Sequence, residues 1–191
     1  MRFFAILIIG LVLFSTEQSY GQETKHSIGI GLHHGIYDGF GASGPLLRVD
    51  YNYHLNEYIQ FSSFLYVGAG TNEEKSYLYT LIESYNSYGL GAQVKYIPFP
   101  KMNILKRLKF QLGVNYTIEN ELYTTEDTRD NAPPTEVIKD EHTLYRPIVG
   151  VEINLLNTSA ISFGYTGVFN AAGLLQGYHG LILSFKLIDK L

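Results

Sequence analysis

The chain has 191 residues, a formal net charge of −4 and no cysteine. This charge argues against nucleic acid as a partner, because proteins that bind nucleic acid carry basic patches that neutralise phosphates. The absence of cysteine fits an exported protein that needs neither disulfides nor thiolate metal sites.

The amino-terminal residues predict a secretory signal peptide. Arg2 precedes an unbroken apolar run over residues 3–14, which is shorter than the roughly 20 residues that a membrane-spanning helix needs. Small residues at the two positions that a signal peptidase reads place the cleavage after Gly21. We therefore expect a signal peptide at residues 1–21 and a single mature domain at residues 22–191, with an uncleaved anchor as the alternative.

The rest of the chain alternates apolar and polar residues with the period of a β-strand. Successive side chains of a strand point to opposite faces, so this alternation predicts strands with one apolar and one polar face. The alternation is clearest over Leu108–Glu119, where it has no exception. In chain order, the predicted strands cover residues 26–34, 47–55, 58–68, 88–96, 108–119, 145–155, 161–169 and 180–187.

The lengths of the strands and of their connections favour a barrel that crosses a membrane. About 9 to 11 tilted residues cross the hydrocarbon core of a bilayer, whereas strands of soluble proteins are usually shorter. Connections after the second and sixth strands are short, and those after odd-numbered strands are generally longer and polar, with Glu121–His142 the longest. The turn Pro98–Arg107 is long for the end with short turns. Outer-membrane barrels have short periplasmic turns and longer external loops.

Alternation alone does not decide whether the apolar face meets lipid or a packed interior. A soluble, lipocalin-like carrier places its apolar residues inside. The polar stripe here is rich in glycine, serine and threonine, which suit a narrow lumen better than a solvated surface. We therefore predict that the apolar stripe, including Leu112 and Leu183, faces lipid and that the lumen is filled by side chains and conducts no solute.

The charges on the polar stripe predict a network inside the lumen, because an unpaired buried charge is costly. Glu119 and Arg146 should lie at one level. We expect Glu152 and Asp50 to reach one of the lysines. The predicted lumen charge network consists of Arg48, Asp50, Lys95, Lys109, Glu119, Arg146, Glu152 and Lys186.

Tyrosines near the predicted strand ends have two interpretations. Amphipathic rings favour the headgroup level of a bilayer and would form an aromatic girdle. Alternatively, tyrosine is simply a good strand former. The tyrosines concerned are Tyr51, Tyr53, Tyr58, Tyr85, Tyr88, Tyr96, Tyr145 and Tyr165.

Over residues 26–188 the chain resembles the small eight-stranded outer-membrane barrels of the outer-membrane protein A and X type. Its last strand, Gly180–Leu187, is similar to the carboxy-terminal signal that the barrel-assembly machinery reads, although Asp189–Leu191 replaces a terminal aromatic residue. The resemblance implies an all-β, eight-stranded, antiparallel up-and-down transmembrane barrel in the outer membrane of a Gram-negative bacterium. It also implies outer-membrane lipid, lipopolysaccharide and the barrel-assembly machinery as partners.

The sequence offers little support for catalysis. Residues 167–173 faintly resemble the lipid A deacylase motif His-x-Ser-Asn-Ala-Gly, but Gly167 and Phe169 occupy the places of the catalytic His and Ser. The last strand also holds no acid that could orient a histidine. An esterase needs a nucleophile, a base and an orienting group together, so we predict no enzyme activity.

We predict no metal and no cofactor. His33 and His34 are adjacent in a strand, so they point to opposite faces and cannot share a metal unless other strands supply further ligands. The acidic segment 121–142 could bind a divalent cation or a basic partner, but it lacks the spacing of a calcium loop, and a solvated surface is the simpler interpretation. The leading hypothesis is a non-enzymatic barrel with a structural or surface-interaction role. The alternatives are a lipid A-modifying hydrolase and a soluble periplasmic carrier.

Overall fold

The computed structural model describes residues 25–37, 42–75, 79–102, 105–127, 136–158, 160–170 and 177–187. The predicted signal peptide lies outside the described residues. A short 3-10 turn occupies Leu105–Arg107. The strands are β1 (His26–Ile36), β2 (Ser43–His54), β3 (Ile59–Lys75), β4 (Tyr79–Tyr96), β5 (Leu108–Asp127), β6 (Glu136–Asn157), β7 (Ile161–Asn170) and β8 (Gly177–Leu187).

The strands form one closed barrel in chain order. Each strand is antiparallel to its neighbours, and the barrel closes where β1 pairs with β8, from His26 opposite Leu187 to Ile36 opposite Gly177. Closure leaves no unpaired edge around the wall, so the backbone polar groups are satisfied between strands. The predicted fold class, an eight-stranded antiparallel up-and-down barrel, is confirmed.

Within the described residues, no helix is long and apolar enough to cross a membrane.

One end of the barrel, here called the turn end, carries tight connections. The Asn56 side-chain oxygen accepts hydrogen bonds from the backbone amides of Tyr58 and Ile59 at 2.8 and 2.9 Å. The Thr158 hydroxyl accepts one from the Ile161 amide at 3.1 Å. Asparagine and threonine side chains that bond to the following backbone are a common device of short turns, and here they reverse the chain between β2 and β3 and between β6 and β7.

The long connection between β4 and β5 is also tied to the turn end. Its last residue, Arg107, donates from its guanidinium to the carbonyl oxygen of Leu155, near the end of β6, at 3.2 Å. The next residue, Leu108, stands opposite Ile153 in the β5–β6 ladder, so this bond joins neighbouring strands and does not account for the length of the connection.

At the opposite end, β3 to β6 continue beyond the other four strands. The prediction of a loop over Glu121–His142 is wrong, because residues 121–127 belong to β5 and residues 136–142 to β6, and their pairing extends to Thr125 opposite Glu136. Alternation of apolar and polar residues marks only the part of a strand that separates two environments, whereas backbone pairing continues without it. We call this part the extension: residues 72–75, 79–85, 120–127 and 136–145.

Within the described residues, one edge of the extension has no neighbouring strand. The described pairing of β6 with β7 ends at Ile148 opposite Asn170, and residues 136–147 of β6 pair there with β5 alone. Pro147 stands where this open edge begins. Proline has no amide hydrogen for a ladder and is tolerated mainly at sheet edges, which fits its position at the point where β6 loses its second neighbour.

The outer wall of the barrel is apolar. Leu112 is 66% exposed and Leu183 is 37% exposed, so both predicted outward residues point away from the lumen. The assignment of Tyr85 to the predicted aromatic girdle is wrong, because its side chain points inward and is 1% exposed. Other exposed apolar residues of the wall include Ile28, Ile30, Leu32, Leu47, Val49, Leu65, Val67, Leu90, Val114, Val149, Val151 and Leu181.

Candidate functional site: the filled lumen

The inner face of the barrel carries an apolar layer that the sequence only hinted at. In β6, Ile148 is an apolar residue on an otherwise polar inner stripe. Phe64 and Tyr66 also point inward, which explains why alternation in β3 is weak when read from the sequence. Together with residues of other strands they form a buried apolar cluster inside the barrel. Its members are Leu46, Phe64, Tyr66, Ile148, Val168 and Tyr178.

Glycines on the inner face make room for these aromatic rings. A Cβ atom at Gly91 would lie 2.3 Å from Cζ of Phe64 and 2.6 Å from the carbonyl oxygen of Val114. A Cβ atom at Gly89 would lie 2.7 Å from the Tyr66 ring. Since real contacts are not this short, these positions accept only glycine while the rings stay in place.

Replacing Gly91 by alanine is expected to lower the free energy of unfolding by about 1 to 3 kcal/mol, because the added methyl overpacks the lumen. Gly167→Ala is the matched control, since the nearest atoms to a Cβ there lie 3.9 Å away. Both changes replace a strand glycine, so differences in backbone entropy cancel. Denaturant titration of the refolded variants measures both effects, and equal destabilisation would contradict this packing.

Toward the turn end, one carboxylate joins two lysines. Oε2 of Glu152 lies 2.7 Å from Nζ of Lys95, and its Oε1 lies 2.8 Å from Nζ of Lys109. The Gln111 amide donates to the same carboxylate at 3.1 Å, and Lys109 also donates to the Gln60 oxygen at 3.1 Å. All five side chains are buried. We call Lys95, Lys109 and Glu152 the lysine–glutamate cluster.

Asp50 was expected to pair with a lysine, but it pairs with Arg48 instead. It lies beside Arg48 on the same face of β2, and the guanidinium donates two hydrogen bonds to its carboxylate at 2.9 and 2.5 Å. Arg48 also donates to the Tyr178 hydroxyl, and its guanidinium carbon lies 3.9 Å from the centre of the Phe64 ring. Residues two apart in a strand share a face, which makes this nearest-neighbour pairing possible.

Glu119 and Arg146 pair near the extended end as expected, but not at one level, because Glu119 stands opposite His142 and Arg146 stands opposite Asn115, four residues away. The guanidinium donates to both carboxylate oxygens, at 2.6 and 3.2 Å. This two-fold contact is the strong geometry for an arginine and a carboxylate. Lys186, the remaining charge of the predicted network, lies at the turn end, where its amine donates to the backbone carbonyl of Thr158.

Buried side chains line the lumen between these groups, and a small cavity lies among them. A cavity of about 20 Å³ lies among Tyr66, Tyr178, Asn115, Glu119 and Arg146. This space holds about one water molecule. A much larger groove of about 510 Å³ lies on the outside, against residues such as Phe61, Ala92 and Leu112.

The structure also places the residues that were weighed for catalysis and metal binding. His33 points inward and is 4% exposed, whereas His34 points outward. Gly167 and Phe169 lie on the outer wall, where Phe169 is 52% exposed. Across the part of the chain that the structure describes, no group of three or more His, Asp or Glu side chains could hold a metal ion.

No protein-family model matches the chain, and no curated protein sequence matches it.

Solved structures share the fold at low sequence identity. Ail, the attachment invasion locus protein of Yersinia pestis, solved in complex with the heparin analogue sucrose octasulfate, is 10% identical with a TM-score of 0.50, over 84% of this chain and 94% of that one. CarO of Acinetobacter baumannii is 10% identical with a TM-score of 0.52, over 87% of this chain and 100% of that one. CarO2 of the same organism is 9% identical with a TM-score of 0.51, over 84% and 97%. These proteins are eight-stranded outer-membrane barrels, and the present chain has their fold.

Proposed function

We propose that the protein is a non-enzymatic barrel of the bacterial outer membrane that acts through a surface interaction of its extension. The observation that carries this proposal is the outer wall, whose leucine, isoleucine and valine side chains are exposed around a lumen of paired charges. Soluble monomers rarely expose a contiguous apolar patch larger than a few hundred Å². A bilayer would bury this wall, and outer-membrane lipid and lipopolysaccharide would be its immediate neighbours.

The shape of the two ends supports one orientation. Outer-membrane barrels keep short turns in the periplasm and longer segments outside the cell. The turn end has the tight connections at Asn56 and Thr158, so it would face the periplasm. The extension would then project from the cell surface. The Gly180–Leu187 strand would be the part that the barrel-assembly machinery reads during insertion.

The extension has two properties that suit a binding surface. The open edge of β6 over residues 136–147 presents backbone groups to which a partner strand could add. The exposed charged side chains described there are Glu73, Asp140 and Glu141 against Lys139, and this acidic excess would favour a basic partner. Glu83 and Glu121 of the same region point inward and are buried.

The alternative functions have less support. A soluble carrier needs an internal pocket of roughly 300 Å³ or more for a small ligand, and the lumen cavity found here is about 20 Å³. The large groove lies on the outside of the wall, where lipid would fill it. A deacylase-like enzyme would need its base at Gly167 and its nucleophile at Phe169, and neither residue can supply that group.

Cysteine labelling in intact cells tests this proposal, because the chain has no cysteine of its own. Glu141→Cys, at an exposed position of the extension, should react with a membrane-impermeant maleimide in whole cells. Glu57→Cys, exposed in the turn between β2 and β3, should react only after the outer membrane is permeabilised. The reverse pattern would overturn the orientation. Recovery of the protein in the soluble periplasmic fraction would overturn the membrane location.

A further inference from the structure

Two histidines from the first and last strands meet on the outer wall. His34 of β1 and His179 of β8 are direct partners across the seam that closes the barrel, and their ring centres lie 5.7 Å apart. Both side chains are exposed. Each lies two residues from the end of its strand, on the side of the barrel that carries the extension. The next outward pair below them on the seam, Leu32 and Leu181, is apolar.

A tyrosine on the neighbouring strand orients one of these rings. The Tyr165 hydroxyl of β7 lies 2.7 Å from Nδ1 of His179. This hydrogen bond occupies Nδ1 and leaves Nε2 as the nitrogen of His179 that is available to a ligand. His34, His179 and Tyr165 therefore form one compact group on three consecutive strands of the wall.

We propose that His34 and His179 bind a divalent transition-metal ion such as Zn²⁺ or Cu²⁺ at the extended end of the outer wall. Imidazole is a preferred ligand of these ions. An ion about 2.0 to 2.1 Å from one nitrogen of each ring places the two ring centres roughly 5 to 6 Å apart, which is the separation of the unliganded pair. The open side of the pair leaves room for water as the remaining ligands.

The contact with Tyr165 has the form that supports a metal-binding histidine. Such a histidine usually donates its second ring N–H to an oxygen acceptor, which fixes the tautomer and the ring orientation. With the ion on Nε2, Nδ1 of His179 keeps its proton and donates it to the Tyr165 oxygen. Tyr165 is thus a positioning residue for the site, not a ligand.

The two adjacent histidines of β1 cannot form this site by themselves. His33 and His34 point to opposite faces, so a second ligand for His34 has to come from another strand. Barrel closure supplies it, since β8 lies directly beside β1 although it is the last strand of the chain. The site therefore exists only in the closed barrel.

The test uses the whole mature chain refolded in detergent micelles, with Cu²⁺ as the spectroscopic probe and Zn²⁺ as the calorimetric probe. Electron paramagnetic resonance of bound Cu²⁺ should show two nitrogen ligands. Tyr165→Phe should keep both nitrogens while lowering the Zn²⁺ affinity about tenfold. His34→Gln and His179→Gln should each lower it further and leave a single nitrogen ligand. All three side chains lie on the outer wall, so heat-dependent gel migration can verify that each variant folds.

His26 provides the matched control. It is also a histidine of β1, and its Nδ1 lies 2.6 Å from the Tyr51 hydroxyl, but its partner across the seam is Leu187 and the rings beside it are those of Tyr51 and Tyr53. His26→Gln should leave the affinity and the two-nitrogen spectrum unchanged. A wild-type spectrum with one nitrogen, or unchanged Zn²⁺ affinity in the His34→Gln/His179→Gln variant, would overturn the site. Since these measurements use micelles, their outcome is independent of the protein's cellular location.

Discussion

Replacing Glu152 by glutamine is expected to lower the free energy of unfolding by about 3 to 5 kcal/mol, the range for breaking a buried ion pair on one side. Its carboxylate lies 2.7 Å from Lys95 and 2.8 Å from Lys109, and all three residues are buried. Glutamine keeps the size of the side chain and removes its charge. Two ammonium groups would then share the lumen without a counter-charge, which is the cause of the expected loss. Denaturant unfolding of the protein in lipid vesicles measures it.

Two further variants separate this cause from a general loss of packing. Glu119→Gln also removes a lumen carboxylate, but its partner Arg146 is 13% exposed and can be partly hydrated, so the loss should be smaller. Replacing the whole lysine–glutamate cluster with Lys95→Met, Lys109→Met and Glu152→Leu should be close to neutral, because no charge is left unpaired. If Glu152→Gln cost no more than Glu119→Gln, water would be solvating the lumen charges.

The sequence predicts the part of each strand that separates two environments. In β5, alternation over Leu108–Glu119 correctly assigns Leu112 to the outside and Lys109 to the lumen. An apolar solvent on one side and a narrow interior on the other impose period two on the side chains. The number of strands and their order follow from the same pattern together with the lengths of the connections.

The extension could not be predicted in this way. Beyond the apolar wall, polar residues are mixed with single apolar ones such as Leu122, and residues such as Asn120 and Glu141, which pair with each other, carry no periodic signal. Their pairing depends on backbone hydrogen bonds, which do not depend on side-chain type. Tyr85 was misplaced for a related reason, because in this region an aromatic residue on the inner face looks the same in sequence as one on the outer face.

Contacts inside the lumen were predictable only where geometry left few choices. Glu119 and Arg146 lie on adjacent strands and both point into the lumen, so their long side chains can meet across the four-residue offset between them. Glu152 had several lysines within range, and the sequence could not choose among them. The pairing of Asp50 with Arg48 was available from their spacing of two residues, which places both on one face of β2.

The pair of His34 and His179 needed information that alternation does not contain. Each histidine is a single polar residue in an apolar stripe, and nothing local links the first strand to the last. Only the register at the closing seam brings the two rings together. A one-residue shift of that register would send His179 to the lumen face and separate it from His34.

The account depends most on the claim that the outer wall faces lipid, and one pair of variants in β5 tests that claim directly. Leu112 is 66% exposed in the wall, and Leu122 is 40% exposed on the same face but in the extension. Arginine at a lipid-facing position near the bilayer centre costs about 2 to 4 kcal/mol, and near or beyond the interface about 0 to 1 kcal/mol. Unfolding of both variants in lipid vesicles should therefore show a large loss for Leu112→Arg and little or none for Leu122→Arg. Equal losses, or a Leu112→Arg variant as stable as the wild type, would mean that the wall faces water and would contradict the membrane barrel.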